Sequence, residues 1–539
     1  LLIRWWSGCS QVVDFVLKIF AGLRSGNARF LAKLTNGCMR LLSMRLPTLF
    51  EFLLSFCIVL IIRGSAIFAV AWAQDDFFQL FDPSGDGFIA IHISMLRPAV
   101  ALVTGLVRWL GATFPTNGSM WSALHAGALV VFGLALRWLW IPGAASVYGI
   151  ATALIFALSP GLNNLWQYQV IHPAMTAFYC LAAFALASYS KGGWKTLASI
   201  LAIGFTLSYQ IMLSLYLVAI LIMCAIRINA SFLSQRPRSL RQSLSPVLKL
   251  ALCLMAGLIV YVLTSKIALD WSGLGQSTRT SLAGLDDLPE KVSQLISGLK
   301  RLIYGRGEAY LPQNVKIIQV LLLLISLIST AYFARQRWLQ WPRRFSHFFV
   351  VALILLAAAL SIRVPTIFFA YSPDNPRVLI GTAVFWSGIF AMTTDAGPKI
   401  LKRLALVLGV ILFAAYAIIT NSVCSDFVRM NQRELLLASR IVERMSQLPN
   451  FDNVRTVVVV GTSPQVKTDL RSTDLLWSGL NSFMGTGVLR EASGEPFESP
   501  SAADQELAKL ASRRMPFWPK PGSTVIINDV GIVSLGKPL

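Results

Sequence analysis

Residues Ala71 to Pro98 read AWAQDDFFQLFDPSGDGFIAIHISMLRP and follow the first long apolar run of the chain. Asp75 and Asp76 stand side by side where the chain leaves that run. Asp82 and Asp86 follow in a stretch broken by Pro83 and Gly85, and Arg97-Pro98 comes at its end. Carboxylates in such a place are either solvated loop charges or the centre of a membrane enzyme. The choice depends on what surrounds them.

The surroundings are apolar. Of 539 residues, 55% are hydrophobic and 13% charged, and the mean hydropathy is +0.64. Soluble domains carry about 25% charged residues. Many runs here approach the roughly 20 apolar residues that cross a bilayer, so a polytopic helical membrane protein is expected. The formal net charge of +22 comes from Lys and Arg in short loops between spans, the pattern that sets membrane orientation. No basic-aromatic module stands outside the spans, which argues against a nucleic-acid partner. The seven cysteines are scattered without a CxxC pair, so neither a disulfide framework nor a cysteine metal site is expected.

Residues 1–46 are basic and weakly amphipathic, with Trp5-Trp6 on an apolar side, and read as a segment on the cytoplasmic face. No small-residue cleavage site follows a short apolar core, so a signal peptide is not expected. The membrane region is placed at 47–420 with about eleven spans. Arg63 interrupts the first, and an ionisable group at that depth is a functional candidate. Residues 73–119 form a first external loop, and within it Arg97–Phe114 is expected to lie flat, because this arrangement leaves every strongly basic loop inside. A tight turn at Leu207-Ser208-Tyr209-Gln210 separates two short spans. A second external loop, 267–315, contains Asp287-Leu288-Pro289-Glu290, the D-x-x-E form of a helix start. Leu288, Val292, Leu295 and Leu299 then recur at helical spacing, with Lys291, Lys300 and Arg301 on the polar face. A Pro-rich external turn from Arg363 to Arg377 follows later. Residues 421–539 read as a small external α/β domain, with a polar helix at 429–447, a strand at 454–461 and a terminal hairpin around Asn528-Asp529.

The chain lacks HExxH, P-loop and GxSxG motifs. His92, His125, His172 and His347 lie far apart in sequence. What remains is an acidic pair, cations and amphipathic helices at one membrane face, and these fit transfer of a sugar from a lipid phosphate. The phosphate leaves without protonation, so one carboxylate suffices to accept the proton of the acceptor hydroxyl. Asp75 or Asp76 is the expected base. Arg363, Arg377 and Arg97 are the expected phosphate ligands, and Tyr209 and Gln210 are expected to line the sugar or acceptor. No cofactor is required. A divalent Mg or Mn ion could sit on Asp75, Asp76, Asp82 and Asp86, but this donor chemistry does not demand one, and no metal ligand is assigned.

Three places carry a resemblance: Asp75-Asp76 followed by Arg97-Pro98; Tyr209-Gln210 at a helix turn; and the tail Arg514-Met515-Pro516-Phe517-Trp518-Pro519, ending in Val533-Ser534-Leu535-Gly536. In these the chain resembles the integral-membrane glycosyltransferases of the GT-C superfamily, and within them the bacterial O-antigen glucosyltransferases that modify lipopolysaccharide and convert serotype. The chain departs from that pattern at Leu96, where a small residue is expected. The resemblance implies an all-α GT-C-like polytopic fold with external interfacial helices and a C-terminal periplasmic α/β domain. It implies a bacterial inner-membrane enzyme with an undecaprenyl-phosphate sugar (glucose among the candidates) as donor. The acceptor would be a periplasmic glycan or lipid-linked saccharide such as O-antigen. Two other readings stand beside it: a transporter or flippase for a lipid-linked saccharide, which predicts broken helices and charged groups near mid-membrane, and a non-catalytic membrane subunit.

Overall fold

The computed structural model describes residues 48–69, 86–112, 117–166, 168–233, 240–278, 284–304, 311–336, 341–368, 380–395, 398–461, 480 and 485–536. The expectations for residues 1–46, for Asp75, Asp76 and Asp82, and for Arg377 lie outside the described residues.

The longer helices, in order, are α1 (Thr48–Phe68), α2 (Asp86–Ser94), α3 (Pro98–Trp109), α4 (Gly118–Trp140), α5 (Ser146–Ala157), α6 (His172–Ser188), α7 (Gly193–Leu207), α8 (Met212–Leu233), α9 (Leu240–Ser272), α10 (Leu288–Tyr304), α11 (Gln313–Gln336), α12 (Trp341–Ser361), α13 (Gly381–Asp395) and α14 (Lys399–Ser446), with short helical turns at Asn163–Trp166 and Val364–Phe368. Their ends follow local chemistry. Pro98 opens α3 and Pro173 sits in the first turn of α6, where a missing N–H costs nothing. Gly273, at φ +66°, ends α9 in the left-handed conformation.

Among the described residues, seven helices are long and apolar enough to cross a membrane: α1, α4, α6 with its preceding turn, α8, α9, α11 and α14. Shorter apolar helices are α3, α5, α7 and the 345–361 part of α12. By helix length and hydropathy the chain is a multi-pass membrane protein. One continuous apolar core runs from Val59 to Val428, and outward-facing residues such as Leu252, Ile259 and Ile267 on α9 are left for lipid.

Glu51 near the start of α1 pairs with Arg137 near the end of α4, so these helices are antiparallel and define one end of the bundle. The other end carries Arg97. α3 is 12 residues long, about 18 Å, too short to cross hydrocarbon. It buries Ala99, Val100, Thr104 and Val107 and exposes Leu102, Leu106 and Trp109, as a helix lying flat on the bundle would. α10 begins where the D-x-x-E pattern places it. Lys291 is buried, whereas Leu288, Val292 and Ile296 are exposed. Leu295, Leu299 and Leu302 instead face the cleft that holds Arg363, so the apolar stripe is divided between the bundle and the outside.

The expected last span and the expected polar helix at 429–447 are one rod. α14 has 48 residues, about 72 Å, because neither Gly nor Pro interrupts Ala414 to Ser446. Asn421 and Ser425 hydrogen-bond to Ile62 O and Ser65 of α1. The rod then continues past the Arg97 end into a small C-terminal unit. There β1 (Thr456–Val460), α15 (Gly485–Ser493), α16 (Ala502–Ser512), β2 (Thr524–Ile527) and β3 (Val530–Ser534) form a mixed sheet of order β1-β3-β2. β2 and β3 are the expected hairpin, with Asn528 at φ +58° in its turn. β1 pairs with β3 in parallel, a pairing between residues 74 apart in sequence that local pattern does not announce.

Candidate functional site

α2 ends in a tight reversal. The N–H of Met95 bonds Ile91 O and that of Arg97 bonds His92 O, with Leu96 at φ +56°. A leucine held there is strained by about 1–2 kcal/mol, so a small residue is the natural choice and Leu96 persists only because its surroundings fix it. Gln210 Nε2 donates to Met95 O at 3.0 Å and to Leu96 O at 3.4 Å. Ser265 Oγ of α9 also reaches Leu96 O, at 3.5 Å.

This reversal presents Arg97. Its Nε donates to Gln210 Oε1 at 3.2 Å, and its guanidinium carbon lies 4.9 Å from the centre of the Tyr209 ring, within cation–π range. Gln210 Nε2 also donates to the Tyr261 hydroxyl at 3.1 Å. Ser208 Oγ accepts the Ala99 N–H at 2.9 Å, so the α7–α8 turn caps α3. Three of the residues singled out from sequence, Arg97, Tyr209 and Gln210, thus form one cluster although 113 residues separate Arg97 from Gln210. Tyr261 and Ser265 complete it. The signal for them was faint: two hydroxyls four apart on one face of an otherwise apolar helix. Burial, with the Arg97 charge adding, pushes the His92 imidazole down to about 3, so it is neutral at any ordinary pH. Its ring packs edge-on against Phe88 at 4.4 Å.

Arg363 lies at the same end of the bundle but in a separate cleft. It is buried and lines a narrow space between α10, α12 and α13 with Arg301, Leu295 and Thr382. Its side chain crosses α10 at Gly298, where any Cβ would overlap the Arg363 Nε and Cδ. The two groups share the first turn of α8 as a neighbour. A Cβ on Gly381 would meet both Ser214 Oγ, one turn beyond Gln210, at 3.2 Å and the Cα of Ile362, the residue before Arg363, at 3.3 Å. The remaining candidates, Asp75, Asp76 and Arg377, lie outside the described residues. No group of three or more His, Cys, Asp or Glu positioned for a metal occurs among the described residues.

The widely spaced histidines are not all independent. His125 on α4 and His172 on α6 stack edge to face at 4.5 Å, with Trp166 at 5.0 Å and Tyr179 at 5.7 Å from His125. The His172 Nε2 faces Trp166 O at 2.8 Å and its Nδ1 faces Ser122 Oγ at 3.0 Å. A carbonyl only accepts, so Nε2 carries the proton and Nδ1 receives the Ser122 hydroxyl. Arg63 lies over Trp166, 4.3 Å from the ring centre. The fold and the clusters define a multi-pass helical membrane protein with a small C-terminal mixed sheet. No known protein family matches the chain, and no curated protein is significantly similar to it.

Proposed function

We propose that the chain is a GT-C-like glycosyltransferase of the bacterial inner membrane, with about eleven spans, that moves a sugar from a polyprenyl phosphate to a periplasmic glycan such as O-antigen. The observation that supports this best is the Arg97–Tyr209–Gln210 cluster, which joins two sequence-distant motifs of that resemblance in one site at the Arg97 end of the bundle. On this reading the Arg97 end, with the C-terminal sheet, faces the periplasm. The short turns carrying Lys191, Lys195, Arg335, Lys399, Lys402 and Arg403 face the cytoplasm.

Asp75 or Asp76 takes the proton of the acceptor hydroxyl as its oxygen forms a bond to the anomeric carbon. The bond from that carbon to the phosphate oxygen breaks, and the electron pair leaves with the phosphate. Arg97, with Arg377, offsets the charge it gains, while Arg363 stays buried in its separate cleft. Tyr209 and Gln210 fix Arg97 and border the sugar.

The test is sugar transfer in membranes expressing the wild type, Asp75→Asn, Asp76→Asn or Arg97→Lys, with labelled polyprenyl-phosphate sugars and native lipopolysaccharide. One Asp→Asn change is expected to lower transfer by about 10²–10⁴-fold, the usual weight of a general base, at unchanged protein level. Arg97→Lys, which loses the planar fork and its stack, is expected to lower it about tenfold or more. Wild-type rates in all three variants rule the reading out. Transport of a lipid-linked saccharide is a second reading. It draws on the short helical segments between α5 and α6, where Pro160, Asn163 and Trp166 are buried, and on the buried Arg63. Movement of donor across vesicles without turnover would favour it.

A further inference from the structure

Arg63 sits five residues before the end of α1, fully buried. One of its N–H groups has a clear structural use: Nη2 donates to Ala157 O at 3.1 Å, closing the C-terminus of α5. Nε and Nη1 meet no oxygen or nitrogen acceptor among the described residues. The Cys424 thiol lies alongside and is at best a weak acceptor. Three neighbours are in the same condition. The Trp166 indole N–H, the Tyr179 hydroxyl and His125 Nδ1 are all buried without a partner. They belong to one cluster, because Trp166 touches Arg63 and His125, and His125 touches Tyr179. Buried polar groups are nearly always paired, and an uncompensated buried charge is among the costliest features a fold can keep.

The orphaned groups are unbalanced in kind. Arg63 and Trp166 can only donate, and the Tyr179 hydroxyl is free to donate. No carboxylate is among them. Such a set is complementary to an anion with several acceptor oxygens. The short helical turns Asn163–Trp166 and Gln169–Ile171 bring Trp166 and the start of α6 to the cluster.

We infer that Arg63, Trp166 and Tyr179 form an anion site inside the bundle that takes a phosphate group. Choosing a lipid-linked phosphate as its natural source rests on the function proposed above; the site itself does not. Its oxygens would pair the free guanidinium, indole and phenol donors, and its charge would compensate Arg63. Without that ligand, the Tyr179 hydroxyl contributes nothing to folding.

The experiment is equilibrium binding of ³²P-labelled polyprenyl phosphate and of ³²P-labelled inorganic phosphate to the full chain in lipid nanodiscs, with melting temperatures measured in parallel. Tyr179→Phe is expected to melt no lower than the wild type, because it removes an unsatisfied group. It is also expected to bind polyprenyl phosphate about tenfold more weakly, the weight of one hydrogen bond to a charged group. Arg63→Met is expected to lose saturable binding and the ligand-dependent rise in melting temperature. Competition by inorganic phosphate would show that the phosphate alone is recognised. Its failure beside intact lipid-phosphate binding would show that the prenyl chain is needed as well. The inference is overturned if neither probe binds saturably, or if both variants keep wild-type affinity. It is overturned equally if Tyr179→Phe melts lower at unchanged affinity, the mark of a purely structural role. Loss of polyprenyl-phosphate binding in Arg97→Met alone would overturn this site while leaving the proposed transferase standing.

Discussion

At the scale of single residues, the bundle keeps charges where hydrocarbon makes them expensive, and each has an identifiable reason. Glu51 and Arg137 are 3.5 Å apart with side chains 1% and 3% exposed. Arg137 also donates to Ala144 O at 3.0 Å and lies over Trp138. Neither residue stands out in the sequence, since each looks like a charge at a span boundary. Removing one partner of a buried pair strands the other, so Glu51→Ala is expected to cost about 3 kcal/mol or more, read as a lower melting temperature in detergent. Replacing both, as Glu51→Leu with Arg137→Met, is expected to recover most of the loss. Arg97 differs in kind: the Gln210 amide and the Tyr209 ring hold it.

At the scale of elements, close approach of backbones sets the site. A Cβ on Gly257 of α9 would meet Ile203 Cγ2 at 2.5 Å, and one on Gly204 of α7 would meet Val260 Cγ1 at 2.7 Å. Small residues at helix crossings are the usual way to bring membrane helices together. Here the crossing lies one turn from Tyr261, so it also positions the hydroxyl that receives Gln210. Gly257→Val is accordingly expected to lower both the melting temperature and sugar transfer. In the C-terminal unit, Arg455 binds Asp529 at 2.9 Å, Asp504 at 3.2 Å and Glu498 at 3.3 Å. It thereby ties β1 to the β2–β3 turn and to the start of α16. Asp504 is held below the usual carboxylate range chiefly by the Ser501 backbone and hydroxyl, with Arg455 adding, and Asp529 chiefly by Arg455. Because the folded values lie below the unfolded ones, this support is complete above about pH 4 and is lost as pH falls through the lowered values. Protease cleavage between α14 and the sheet in the intact chain is expected to rise on acidification below that pH. Arg455→Ala should flatten the dependence.

At the scale of the whole molecule, the 48-residue α14 decides geometry. Its Thr420–Ser425 segment packs against Asn163 and α1 at the Arg97 end, and the next twenty or so residues carry the chain about 30 Å further. The C-terminal sheet and the Arg97 cluster therefore share one end of the bundle. In a cysteine-free background, Trp271→Cys and Glu506→Cys are expected to react with a membrane-impermeant maleimide from outside intact cells. Lys191→Cys should react only after permeabilisation. Labelling of all three from one side would mean that the alternation of spans has been misassigned.

Apolar run length, Gly and Pro punctuation and the D-x-x-E start are local properties. Read alone, the sequence therefore determined that this is a multi-pass helical membrane protein, where α10 begins, and that the tail ends in a hairpin. It also marked Arg97, Tyr209 and Gln210, because polar residues at helix ends are conspicuous in an apolar chain. It did not show that Arg97 and Gln210 touch, that Glu51 meets Arg137, that His125 meets His172, or that β1 pairs in parallel with β3. Those outcomes depend on which helices become neighbours, and in a bilayer nearly every apolar face can pack against any other. Only close packing in three dimensions, through contacts such as those at Gly204, Gly257 and Gly298, selects the partners.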